Sequence, residues 1–143
     1  MVQSTGIKKI NCAVFISGTG SNLKSLIEFA EKKNSPISIK LIISDNAKAK
    51  GLKFGKIFKI SNKIINYKKK LFAEKKIISE IKNKNIKLIC LAGFMRILSK
   101  DFVKNFKGKI LNIHPSLLPK YKGLNTHQRV ITNKEKYSGC TVH

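Results

Sequence analysis

The feature that most constrains this chain is its alternation of short continuous apolar runs with stretches of helical periodicity. Asn11 to Ser17 (NCAVFIS) is apolar almost throughout and short enough for a strand buried on both faces. Asn22 to Lys33 then places Leu23, Leu26, Ile27 and Ala30 at helical spacing. Ile37 to Ser44 (ISIKLIIS) predicts a second strand, Ala47 to Gly55 a short helix, and Ile57 to Tyr67 a weaker strand. Lys70 to Asn83 returns to helical spacing through Leu71, Ala73, Ile77, Ile78 and Ile81. Ile86 to Ala92 (IKLICLA) is the clearest buried strand. Ser99 is placed to cap a short helix reaching Phe106, with Asp101 in its first turn, and Ile110 to Ile113 predicts another strand. Cys140 to His143 begins one more. Strands that alternate with helices predict an α/β fold, doubly wound, with a mainly parallel sheet and helices on both faces. Such sheets bind ligands outside the carboxyl ends of their strands. Three features fall there: the turn after Ser17, the segment after Ala92, and His114 after Ile113.

At 143 residues the chain is expected to form one domain, 1–143, and its 42% hydrophobic content suits a globular protein. No apolar run approaches the ~20 residues that cross a bilayer, and the N-terminal stretch does not read as a secretory signal. A cytoplasmic protein with no membrane partner is expected. Cys12, Cys90 and Cys140 lie among apolar neighbours, so reduced core thiols are expected rather than disulfides. Thirty basic residues against seven acidic ones give a formal charge of +23. Such a field attracts polyanions, but the lysines are spread along the chain without an aromatic-interleaved stripe. The abundance of Lys, Ile and Asn is also what an AT-rich coding bias produces. A solvated lysine surface is the expectation, and nucleic acid is not an expected partner.

Ser17-Gly18-Thr19-Gly20-Ser21-Asn22 joins the first strand to the first helix. Glycines allow the tight turn, Ser21 or Asn22 is a candidate cap, and free N–H groups at a helix start bind phosphate. Leu23 stands where the dinucleotide fingerprint needs a third glycine, and no Gly-Lys-Ser/Thr follows. A site for one phosphate and a plain strand-to-helix turn both stand as readings. Asp45, after the second strand, stands near where a dinucleotide fold has a ribose contact, but its distance and the failed fingerprint favour a turn residue.

Asn112 and His114 are two apart at a strand end and project to one face. A carboxamide beside a neutral imidazole suits acyl transfer: one donates to an oxyanion, the other donates or shuttles a proton. A buried histidine bonded to backbone is the competing reading. Pro115 and Pro119 bracket the loop that follows. His114, His127 and His143 lack metal-ligand spacing, so no metal is expected.

Four blocks carry a resemblance: Ile16-Ser17-Gly18-Thr19-Gly20-Ser21-Asn22-Leu23, Leu91 to Ser99 (LAGFMRILS), Leu111 to Tyr121 (LNIHPSLLPKY), and Gly139-Cys140-Thr141-Val142-His143. In order and spacing the chain resembles the phosphoribosylglycinamide formyltransferases, folate-dependent enzymes of purine synthesis. The resemblance implies a Rossmann-like formyltransferase fold and transfer of formyl from 10-formyltetrahydrofolate, as co-substrate, to the amine of glycinamide ribonucleotide. Gly20, Ser21 and Asn22 would hold the ribonucleotide phosphate. Met95, Arg96, Ile97 and Leu98 would line the folate pocket, and Lys70 would be a basic folate contact. Asn112 would contact the formyl donor and its oxyanion, with His114 as general acid. The partners implied are these two small molecules, and a homodimer is an assembly open to it. The alternatives are another 10-formyltetrahydrofolate-dependent enzyme, such as methionyl-tRNA formyltransferase, or a non-catalytic anion- or nucleic-acid-binding fragment. The family continues past the Val-His strand to an aspartate that tunes the histidine. The last part of the family fold is therefore expected to be missing from the domain as given, and little transferase activity is expected of it. Lys122 stands where the family often has proline.

Overall fold

The computed structural model describes residues 8–143, which divide into two compact units, one through Ile110 and one over Leu111–His143. In the first unit, β1 (Ile10–Ile16) lies at the centre of a parallel sheet. It pairs with β2 (Ile37–Ser44) on one side and β4 (Leu88–Leu91) on the other, and β3 (Ser61–Ile64) pairs with the outer edge of β2. The first residues of β5 (Lys109–His114) lie next to β4, where Lys109 N–H donates to the Lys87 carbonyl at 3.0 Å. Three helices cover this sheet: α1 (Ser21–Ala30), α3 (Lys70–Asn83) and α4 (Lys100–Asn105).

The continuous apolar runs have a physical reason here. Alternate residues of β1 enter different cores, because successive strand side chains point to opposite faces. Cys12, Val14 and Ile16 pack with Ile42, Cys90 and the α1 residues Leu23, Ile27 and Ala30. Ala13 and Phe15 pack with Leu41, Ile43, Ile89, the α3 residues Ala73, Ile77 and Ile81, and Phe102 of α4. The doubly wound, mainly parallel arrangement expected from the sequence is therefore the one formed.

Several local expectations are corrected. The region Ala47 to Gly55 is a turn, a single 3-10 turn at Lys50–Leu52, and then the short α2 (Lys53–Ile57). The weak strand contracts to the four residues of β3, since α2 consumes Ile57. Neither Ser21 nor Asn22 caps α1: the cap position is Gly20, and no side chain bonds there. Ser99 does cap α4, accepting the Phe102 N–H at 3.0 Å. Cys12 and Cys90 are buried with their sulfurs 3.8 Å apart, whereas Cys140 is exposed and is not a core thiol. The hydrogen bond to Cys90, and then burial, push the Cys12 thiol up.

In the second unit, the rest of β5 pairs antiparallel with β6 (Thr141–Val142), with Ile113 opposite Val142 and His114 opposite Thr141. A helix absent from the sequence reading, α5 (Thr126–Thr132), follows the proline-bracketed loop. Its only buried apolar residue is Val130, too little to make a periodic stripe.

Candidate functional site

The glycine turn forms as a bare helix start. Gly20 adopts φ +77, and a Cβ there would lie 2.7 Å from the Gly51 Cα. Gly51 presses against the turn from the other side, and its N–H donates to the Gly18 carbonyl at 3.0 Å. This backing glycine was missed in the sequence because it lies far along the chain in a lysine-rich segment. With no side-chain cap, the first N–H groups of α1 remain available, and the helix dipole favours an anion in front of them. Space beside Gly18 is open.

The segment after β4 is tied directly to this turn. The Met95 N–H donates to Ser17 Oγ at 2.9 Å, and the Ser17 N–H donates to the Gly93 carbonyl at 3.2 Å. Ser17 Oγ–H in turn donates to Asp45 Oδ1 at 2.5 Å, while Arg96 Nε–H donates to Asp45 Oδ2 at 2.5 Å. Asp45 is thus more than a turn residue. Its side chain is 4% exposed, against 52% for Arg96, and the pair is charge-assisted. Met95 and Ile97 stand in solvent, at 66% and 84% exposed. Phe94 and Leu98 pack on the core instead, Phe94 edge-on to Phe15 and Tyr67 at centroid distances of 5.4 and 5.6 Å. Tyr67 is buried with its hydroxyl unpartnered. Burial raises its pKa, and the negative charges of Glu74 and Asp45 add to the rise. Lys70 is the first residue of α3 and is exposed. Among the described residues no hydrogen bond or ion pair joins it to Met95–Leu98.

In the second unit, Asn112 and His114 share one side of β5, as their spacing requires. The Asn112 backbone exchanges two hydrogen bonds with His143, at 2.7 and 3.0 Å. Its carboxamide Nδ2 lies 3.0 Å from His143 Nε2, so one amide hydrogen is donated to that ring nitrogen. One N–H and the carbonyl oxygen of the carboxamide are left for a ligand. His114 Nε2 lies 2.9 Å from the Tyr121 carbonyl, which can only accept. The neutral ring is therefore protonated at Nε2, with Nδ1 bare.

The loop around these groups is fixed by hydroxyls. Thr141 Oγ1 accepts the Leu118 N–H at 3.0 Å and donates to the Ser116 carbonyl at 2.8 Å. Ser116 Oγ–H donates to the Lys120 carbonyl at 2.7 Å. Tyr121 is held at its far end by its hydroxyl, which donates to Glu135 Oε1 at 2.7 Å. That bond, then Lys120, holds the Glu135 carboxyl below its usual range. His143, Thr141, Tyr121 and Glu135 were not identified as site supports from sequence; only the antiparallel pairing and the path of the loop reveal them. Among the described residues no three His, Cys, Asp or Glu side chains gather as a metal site, and no helix is long and apolar enough to cross a membrane.

The formyl transferase family model matches residues 10–143. The chain belongs to that family. It is 43% identical over 140 residues to the phosphoribosylglycinamide formyltransferase of Haemophilus influenzae, covering 96% of this chain and 65% of that protein. It is 44% identical over 139 residues to the trifunctional purine biosynthetic protein adenosine-3 of Homo sapiens, covering 95% of this chain and 14% of that one. The crystal structure of phosphoribosylglycinamide formyltransferase from Brucella melitensis superposes with a TM-score of 0.89 at 40% identity, over 95% of this chain and 72% of that one. This formyl transferase chain therefore spans just under two thirds of the Haemophilus protein and about a seventh of the human one. Its fold is that of the solved relatives.

Proposed function

We propose that this formyl transferase moves the formyl group of 10-formyltetrahydrofolate onto the amine of glycinamide ribonucleotide, as one cytoplasmic formyltransferase domain. The observation that carries the reading is the Asn112–His114 pair: one carboxamide N–H and one bare imidazole nitrogen, both left unused by the fold on one side of a strand. The names of the similar proteins support the choice of substrates.

The ribonucleotide phosphate is assigned to the N–H groups of Gly20, Ser21 and Asn22 at the α1 start, where dipole and open space favour it. The folate is assigned to Met95, Arg96, Ile97 and Leu98, whose two exposed apolar side chains offer a wall for a flat ring. Lys70 is assigned to the folate's carboxylate tail. In the reaction, the amine nitrogen bonds to the formyl carbon and the carbonyl π-electrons move onto oxygen. The free Asn112 N–H donates to that oxygen, which lowers the barrier because the donor is already oriented by His143. His114 Nδ1 handles the proton: it accepts from the ammonium nitrogen that the amine's attack creates and, as imidazolium, donates to the departing folate nitrogen. The bond from formyl carbon to folate nitrogen then breaks. No metal takes part in this scheme, and a homodimer is the assembly proposed with it.

Calorimetric titration with glycinamide ribonucleotide and with 5,8-dideazafolate tests the assignment without depending on turnover. Saturable micromolar binding of each, lost for the ribonucleotide in Gly20→Ala, is expected. Indifference to both, with binding only to polyanions such as DNA, would overturn it.

A further inference from the structure

We propose that Asp45 is a positioning residue that joins the phosphate turn and the folate wall into one unit, so that each ligand strengthens binding of the other. The identity of the two ligands rests on the formyl-transfer reading.

Both oxygens of this buried carboxylate are committed, and to different segments. Oδ1 accepts from the hydroxyl of Ser17, the residue that opens the glycine turn. Oδ2 accepts from Arg96 Nε in the segment after β4. Ser17 closes the triangle, because its oxygen also accepts the Met95 N–H. A further tie fixes the same corner: Asn46 Nδ2–H donates to the Ser17 carbonyl at 3.2 Å. A carboxylate 4% exposed carries a desolvation cost, and a buried ion pair is seldom the most stabilising filling of such a space. What this pair does supply is direction. Held at Nε, the guanidinium has no Nη hydrogen bonded within the described residues, which leaves those donors available to an anionic or carbonyl-bearing ligand.

The coupling follows from the shared parts. A phosphate on the α1 start restrains the turn, the restrained turn fixes the Ser17 hydroxyl, and Asp45 then has one geometry in which to hold Arg96. A ligand that finds Arg96 and the Met95 backbone already ordered has less conformational entropy to lose. The effect is reciprocal by linkage.

The test is titration of 5,8-dideazafolate with and without saturating glycinamide ribonucleotide, on the chain and on Asp45→Ala, Asp45→Asn and Ser17→Ala. In the unaltered chain the ribonucleotide is expected to tighten the analogue by on the order of tenfold. Asp45→Ala removes the coupling and weakens the analogue alone. Ser17→Ala, which cuts the link on the turn side, removes the coupling but spares most of the affinity. If Asp45→Ala does not fold, Asp45→Asn and Ser17→Ala carry the same comparison. The Arg96 Nε–H resonance in the ligand-free protein is expected to be protected from exchange, and to lose that protection in the Asp45 variants. Coupling of unchanged size in folded Asp45 variants overturns this proposal alone, with ligand binding intact. Failure of the unaltered chain to bind either ligand overturns the formyl-transfer reading instead.

Discussion

At the scale of single residues, the His114 ring is defined by what it has already given away. Its Nε2–H is spent on the Tyr121 carbonyl, so only Nδ1 can act on a substrate. Replacing His114 by alanine is expected to lower whatever single-turnover formyl transfer the chain supports by about 10²–10⁴-fold, with 5,8-dideazafolate affinity unchanged. Rapid-quench measurement of 10-formyl-5,8-dideazafolate consumption checks this, and a rate within twofold of the parent would remove His114 from the reaction. Gly20 makes a separate demand. Its left-handed backbone costs an L-residue roughly 1–2 kcal/mol, and the added methyl would also strike the Gly51 backbone. Gly20→Ala is therefore expected to lower the unfolding free energy in urea titration by at least that much while weakening ribonucleotide binding.

At the scale of elements, α4 is tied down at its start. Ser99 caps it, and buried Glu74 of α3 accepts both the Ser99 N–H at 2.8 Å and its hydroxyl at 2.5 Å. Ser99→Ala removes the cap and leaves a buried carboxylate oxygen short of a donor, so a loss of about 1–3 kcal/mol is expected in equilibrium unfolding. The cap was legible in the sequence, since Ser99 precedes a short apolar-periodic run; Glu74 was not, being 25 residues away. After α5, the carboxyl of Glu135 is held below the usual carboxylate range because it accepts from Tyr121 and pairs with Lys120. A depressed carboxylate stabilises the fold above its unfolded pKa, and that contribution is lost as pH falls through the folded one. The Tyr121 anchor is thus expected to hold at neutral pH and to release only once the pH has fallen below the usual carboxylate range. Histidine ring NMR of His114, compared between the parent and Glu135→Gln, checks it. An acid-side change in the parent that persists in Glu135→Gln would assign it elsewhere.

At the scale of the whole molecule, the charge of +23 is scarcely offset internally. Among the described residues only Lys24, Lys63, Lys120 and Arg96 reach a carboxylate. Polyanions are therefore expected to associate without specificity, and salt separates that from the site. Between 50 and 200 mM salt, DNA binding through six to ten phosphates should fall by ~10³–10⁵, whereas a ligand with a single phosphate, having no condensed counterions to release, should lose far less. Titrations of both at the two salt concentrations decide whether the glycine turn is a distinct anion site; parallel slopes would argue that it is not.

The sequence by itself determined the class of fold and the formyl transferase family to which the chain belongs. Buried parallel strands need apolar residues on both faces, which leaves continuous runs that are read without knowing any contact. The blocks at Gly18–Asn22, Met95–Leu98 and Asn112–His114 that carry the resemblance are contiguous, so they are read from neighbours in the chain. Only the tertiary structure decided which polar groups pair. Asp45 meets Ser17 across 28 residues and Arg96 across 51, and Asn112 meets His143 across 31. Periodicity states which face a side chain takes, but not which distant strand end will supply its partner. That choice is made by sheet order and register, and it gives Asp45, which reads as a turn residue, hydrogen bonds to both the glycine turn and the segment after β4.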